Sequence, residues 1–119
     1  MSESAREKVK PIVLRNTETN DEYVLEFNKD SVRFAEDRGF RLVDLDNFPA
    51  TKIPEFFFYA FRMHHKNVQR NKTDKMLEED LGGMSPKFLQ RLVELYNETL
   101  NELVVEEGEV KNPKMEIEL

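Results

Sequence analysis

Five of the six residues in the run Phe56-Phe57-Phe58-Tyr59-Ala60-Phe61 are aromatic, and this run sets the demand that the rest of the chain must meet. The surrounding sequence predicts a helix over 52–68, because Pro54 is tolerated in a first turn and Glu55 suits the positive end of a helix. Successive helical residues point about 100° apart, so these rings cannot all face one core. Two solutions exist. Either the helix is central and covered on several sides, or part of its aromatic surface is an interface. Met63, a flexible side chain suited to adaptable surfaces, extends the run. Phe57, Tyr59, Phe61 and Met63 are therefore candidates for partner binding, and self-association would satisfy the same surplus.

A chain of 119 residues is the usual size of one domain. Its 39% hydrophobic content, with nine Phe and three Tyr, can bury a modest core. The core must be assembled from short elements. Pro11-Ile12-Val13-Leu14 and Glu22-Tyr23-Val24-Leu25-Glu26-Phe27 are β-prone, and turn-forming residues 16–21 separate them, which predicts a hairpin. In the second run Tyr23, Leu25 and Phe27 alternate with mostly polar neighbours, so one face can be buried. A lone hairpin is marginal in water and must lie on the helices that follow.

Asn28 or Asp30 caps a short helix through Asp37, and Gly39 occupies the place of the left-handed residue that ends it. Pro49 is expected to interrupt regular structure. Thr73 caps a short helix to Leu81, which Gly82-Gly83 stops, and Ser85-Pro86 opens a final helix to about Val105. The predicted fold is α+β and mostly helical, an N-terminal β-hairpin packed on three to four helices. The predicted organisation is a flexible leader over 1–10, one domain over 11–105 and a flexible acidic tail over 106–119.

The final helix carries a broad apolar arc: Phe88, Leu89, Leu92, Val93, Leu95, Tyr96, Leu100, Leu103 and Val104 fall on one side. This arc covers about half the circumference, wider than the ~100° stripe that a single core contact needs. It packs under the hairpin and the preceding helix, or its outer edge also receives a partner helix. Val93, Leu100 and Val104 are the candidates for that edge.

The formal charge of -6 argues against broad attraction to nucleic acid or anionic membrane. Arg62, His64, His65, Lys66, Arg70, Lys72 and Lys75 concentrate positive charge locally, either as a solvated helix end or facing an acidic partner. The two His are adjacent rather than four apart on a helix, and there is no Cys, so no metal site is expected. No phosphate loop, nucleophile elbow or other catalytic spacing is present, and neither enzymatic activity nor a cofactor is expected. The polar start lacks the apolar stretch of a signal peptide. The longest apolar run is far shorter than the ~20 residues of a membrane span. A cytoplasmic protein with no membrane association is expected.

Taken in order, the hairpin, the phrase from Phe27 to Phe40, the aromatic helix, Asn71-Lys72-Thr73-Asp74-Lys75, Gly82-Gly83-Met84-Ser85-Pro86 and the closing amphipathic helix form a pattern. That pattern resembles the tail assembly chaperones of long-tailed bacteriophages and prophages of Gram-positive bacteria. The resemblance spans 11–105 and rests on pattern, with no catalytic signature. It implies a protein that binds and solubilises the tape measure protein in the host cytoplasm, helps recruit tail tube protein and is absent from the mature virion. It also implies a short form and a longer, frameshifted form. Val110-Lys111-Asn112 can be encoded as a slippery heptamer, which places such a slip in the tail, where an added domain would disturb the core least.

Two other readings fit parts of the sequence. A connector-type structural or adaptor protein of a phage particle would share the size and acidity. A DNA-binding regulator would use residues 74–81, the Gly-Gly turn and the final helix as a helix-turn-helix. The exposed side of that helix carries Glu94, Glu98 and Glu102 against Arg91 alone, which phosphate would repel.

Overall fold

The computed structural model describes residues 8–104 and 114–119. Residues 1–7 of the predicted leader, the rest of the predicted tail and the Val110-Lys111-Asn112 codons lie outside the described residues. A two-stranded antiparallel hairpin, β1 (Ile12–Arg15) and β2 (Glu22–Leu25), precedes five α-helices: α1 (Lys29–Asp37), α2 (Asp44–Asn47), α3 (Pro49–Tyr59), α4 (Arg70–Lys75) and α5 (Pro86–Asn101). The fold is the expected mostly helical α+β arrangement.

Local chemistry explains the boundaries. The Asn28 side chain accepts from the Ser31 N–H at 2.8 Å while Ser31 Oγ accepts from the Asn28 N–H at 2.9 Å, a reciprocal cap on α1. At the other end Gly39, with φ +87°, lets its own N–H reach the Glu36 carbonyl and the Phe40 N–H reach the Ala35 carbonyl. That turn throws Phe40 back into the core, where it is fully buried. Ser85 caps α5 by accepting from the Phe88 N–H, with Pro86 in the first turn.

Helix α3 departs from the predicted span at both ends. Pro49 does not interrupt structure but opens the helix as its first residue, where a missing N–H costs nothing. The helix stops at Tyr59 rather than continuing to Val68. The Ala60 carbonyl accepts the Glu26 N–H of the hairpin at 3.1 Å, and the chain turns through 61–65 instead of prolonging the helix. Helix α4 begins at Arg70, earlier than the expected cap. Thr73 is fully buried inside it and its hydroxyl donates to the Arg70 carbonyl.

Helix α3 is central. Phe56 is sandwiched between Phe27 and Phe40, with ring centroids 5.4 and 5.1 Å away and planes within 16° and 14° of parallel. Tyr96 of α5 meets all three rings edge-on at 5.0–5.8 Å. Phe57 packs on Phe88 and Phe61, Tyr59 on Phe34 and Phe40, and Phe61 on Tyr23. Each fully buried side chain of this size contributes roughly 1.5–3 kcal/mol relative to exposure. The aromatic surplus is thus absorbed by hairpin, α1, the link around Phe40 and α5, which surround α3.

The strip before β1 is also fixed to α5. The Val9 N–H donates to Glu98 at 2.8 Å and Arg91 donates to the Lys10 carbonyl at 3.2 Å, so these two residues of the predicted flexible leader are tied down.

Candidate functional site

Burial reassigns the sequence-derived contact residues. Phe57, Tyr59 and Phe61 are core side chains, enclosed by the rings just described, and are not available to a partner in this fold. Phe57 and Tyr59 leave α3 on different faces that different neighbouring elements cover, Phe61 is enclosed just past the helix end, and Phe58 is the one ring of the run that stays half-buried. Met63 is half-buried at the rim of a small groove between α1 and the turn that follows α3. Val93 and Leu100 are half-buried against the core. Val104, 78% exposed, stands beyond the end of α5. These four do not form one surface with the three buried aromatics.

A larger concavity lies elsewhere. Residues Met76–Asp80 follow α4 as a π-helical turn, in which the Leu81 N–H reaches back five residues to the Met76 carbonyl at 2.8 Å. Such widened turns are often found at functional positions. Gly82 and Gly83, with φ of +70° and +115°, then reverse the chain so that the Gly83 N–H bonds the Leu77 carbonyl at 2.8 Å. Met76 and Leu77 enter the core, while Leu81 remains exposed at the end of the turn.

Between this turn and the hairpin runs an open groove of about 730 Å³. Leu14, Tyr23, Met76 and Leu81 supply its apolar lining, and Arg15, Glu18, Asp21, Lys72, Lys75, Glu79 and Asp80 supply charges of both signs. The Lys72 ammonium lies 5.7 Å from the Tyr23 ring centroid, a cation over an aromatic face. Leu14 and Tyr23 face each other across the ladder, so the hairpin register puts both on the same face. The groove was not legible as a site because its apolar residues come from three separated segments. The one local signal is Leu81, an apolar residue left at a helix stop.

The basic run is dispersed by the turn after α3. Arg62 and Arg38 bracket the Phe34 ring at 4.0 and 3.6 Å, and His64 meets Glu26 at 2.8 Å. Arg70 pairs with Asp74, and only Lys72 and Lys75 reach the groove. His65 Nε2 accepts the Val24 N–H, and desolvation, with the His64 charge second, lowers its pKa below the ordinary histidine value. Burial raises the Tyr96 hydroxyl to about 12. Tyr59 is shifted further in the same direction, by burial first and then by its 2.7 Å hydrogen bond to Glu55. These shifts belong to packed structural groups, none of which lines the large groove.

Among the described residues no three His, Asp or Glu side chains are arranged to hold a metal ion. No helix among them is long and apolar enough to cross a membrane. The arrangement offers an open, mixed apolar and charged groove suited to contact with another chain. The model of the family described as a domain of unknown function, DUF5055, matches residues 1–119, and the chain belongs to that family. No curated protein and no solved structure matches it.

Proposed function

We propose that this DUF5055 protein is a tail assembly chaperone of a long-tailed bacteriophage, which binds the tape measure protein and keeps it soluble during tail assembly, without catalysis. The groove between the hairpin and the π-helical turn carries this reading. Its apolar lining of Leu14, Tyr23, Met76 and Leu81 fits one turn of an amphipathic helix, and its rim of both charge signs fits the polar flanks of such a helix. A tape measure protein is a very long helical chain with an apolar stripe that aggregates unless covered. Many copies of a small chaperone, each holding a short stretch weakly, would mask it through multivalency. The order of elements along 11–105 supports the same reading. On it the protein acts in the bacterial cytoplasm, helps recruit tail tube protein around the tape measure, and is absent from the finished virion.

The test is co-expression with the longest helical, apolar-rich protein encoded downstream in the same genome. The reading expects that protein to become soluble and to co-purify with this chain, and Leu81→Glu to reduce capture while circular dichroism stays unchanged. If the long protein behaves the same with and without this chain, and this chain is found in purified particles, a connector-type virion component replaces the chaperone.

A further inference from the structure

Two features of this chain each lack half of a β-sheet. The first is the segment 114–119, Lys114-Met115-Glu116-Ile117-Glu118-Leu119, in which apolar and charged residues alternate. Period two is the pattern of a strand with one apolar and one charged face. Met115 and Ile117 are each 83% exposed and Leu119 is fully exposed, so the apolar face has no cover among the described residues.

The second is the outer edge of β1. On β2 the edge away from β1 is closed, because the Val24 N–H donates to His65 Nε2 and the Glu26 N–H to the Ala60 carbonyl. Val24 therefore turns its backbone groups away from β1. Its register partner Val13 must do likewise on the other side, and so must Arg15, two residues on. Among the described residues nothing bonds these N–H and C=O groups of Val13 and Arg15. Val13 is itself 54% exposed, and no proline interrupts the strand. An open edge of this kind is a template for another strand.

We propose that the outer edge of β1 receives segment 114–119 from a second copy of this chain as an added strand, the exchange being reciprocal in a twofold dimer. The match lies in the two-residue period and the apolar face. With Met115, Ile117 and Leu119 on the face of Ile12 and Leu14, the half-buried apolar side of the hairpin is extended. Glu116 and Glu118 then share the opposite, exposed face with Val13 and with Arg15, which is already paired with its register partner Glu22. The second copy is the occupant because the segment does not fold back onto its own β1, leaving its apolar side chains bare. Nine residues, 105–113, separate it from the end of the described domain, a reach of roughly 30 Å when extended, enough to cross to a neighbouring copy.

The test uses the full chain, which has no cysteine of its own. Light scattering is expected to give the mass of two 14.1 kDa chains, and a chain lacking 114–119, or carrying Ile117→Asp, is expected to give the mass of one. Both changes touch only exposed positions, so circular dichroism should not move. Mixing Val13→Cys chains with Glu116→Cys chains and adding a short bis-maleimide should join one chain of each kind. A monomeric wild type, or a dimer that survives removal of 114–119, overturns the proposal. So does the double variant Val13→Cys/Glu116→Cys cross-linking within single chains at monomer mass.

Discussion

The imidazole of His65 closes the outer edge of β2 by accepting the Val24 N–H on Nε2 at 2.8 Å. The ring also packs edge-on to Tyr23, 5.3 Å away, so it sits against both backbone and side chains of the hairpin. An accepting nitrogen carries no proton, which fixes the neutral ring with its hydrogen on Nδ1. Protonation would set two donors against each other at this contact. The lowered pKa of His65, from desolvation first and the neighbouring His64 second, has the same sense.

Because the folded pKa is depressed below 6.5, the unfolded chain takes up a proton first on acidification. The stability that His65 contributes is present above pH 6.5 and is lost as pH falls through its folded value. Thermal unfolding followed from pH 7.5 downward should therefore show a falling midpoint beginning near 6.5. His65→Gln offers an amide oxygen to Val24 without titrating, so its midpoint should fall less over the same window. Equal slopes in the two proteins would remove His65 from the pH response.

Phe56 and Phe48 make a matched pair for separating core from surface. Phe56 is fully buried between two parallel rings, whereas Phe48 is 59% exposed at the junction of α2 and α3. Phe56→Ala should cost about 3–5 kcal/mol through lost contacts and the cavity left behind. That is a large share of the stability typical of a domain this size. Phe48→Ala keeps the carbonyl that bonds the N–H groups of Thr51 and Lys52, and should change stability by no more than about 0.5 kcal/mol. Urea unfolding midpoints at constant slope decide both.

The same contrast shows what could be read in advance. Caps are local chemistry, so Asn28, Gly39, Ser85 and Pro86 marked α1 and α5 from the sequence alone. The hairpin was legible from the alternation of Tyr23, Leu25 and Phe27. The fate of the aromatic run was not, because it depends on which distant segments surround α3. Phe27, Phe40 and the α5 pair Phe88 and Tyr96 come from three separate parts of the chain, and together they turn a candidate interface into the core. The end of α3 was misplaced for a related reason. Residues 60–68 contain no helix breaker, and the helix ends where His65 bonds Val24 of β2 and Ala60 bonds Glu26 just after it, contacts that no local pattern encodes. The groove was hidden because Leu14, Tyr23 and Leu81 are neighbours only after folding.

The cap on α1 is the next measurable element. Asn28 and Ser31 satisfy each other's backbone N–H groups, and Ser31 Oγ also donates to the Asn28 carbonyl. Ser31 is fully buried, so its hydroxyl has no water to fall back on. Asn28→Ala should lower stability by about 0.5–2 kcal/mol, while Asn28→Asp, which keeps an acceptor, should cost less. Equal losses in both would mean that the cap is not what holds this end of α1.

Gly39 isolates backbone strain from packing. A Cβ built on it would meet nothing within 4 Å, so a methyl group has room, yet φ is +87°. Gly39→Ala should therefore destabilise by about 1–2 kcal/mol through conformation alone. Gly39→Asn, whose side chain tolerates the left-handed region, should lose less. The consequence reaches past the turn, because Gly39 directs Phe40 against Phe56, Tyr59 and Tyr96. A chain that relieves the strain by changing φ must move Phe40 out of that stack, and the near-ultraviolet signal of the tyrosines should then weaken along with stability. Destabilisation with that signal intact would show the turn holding its geometry under strain.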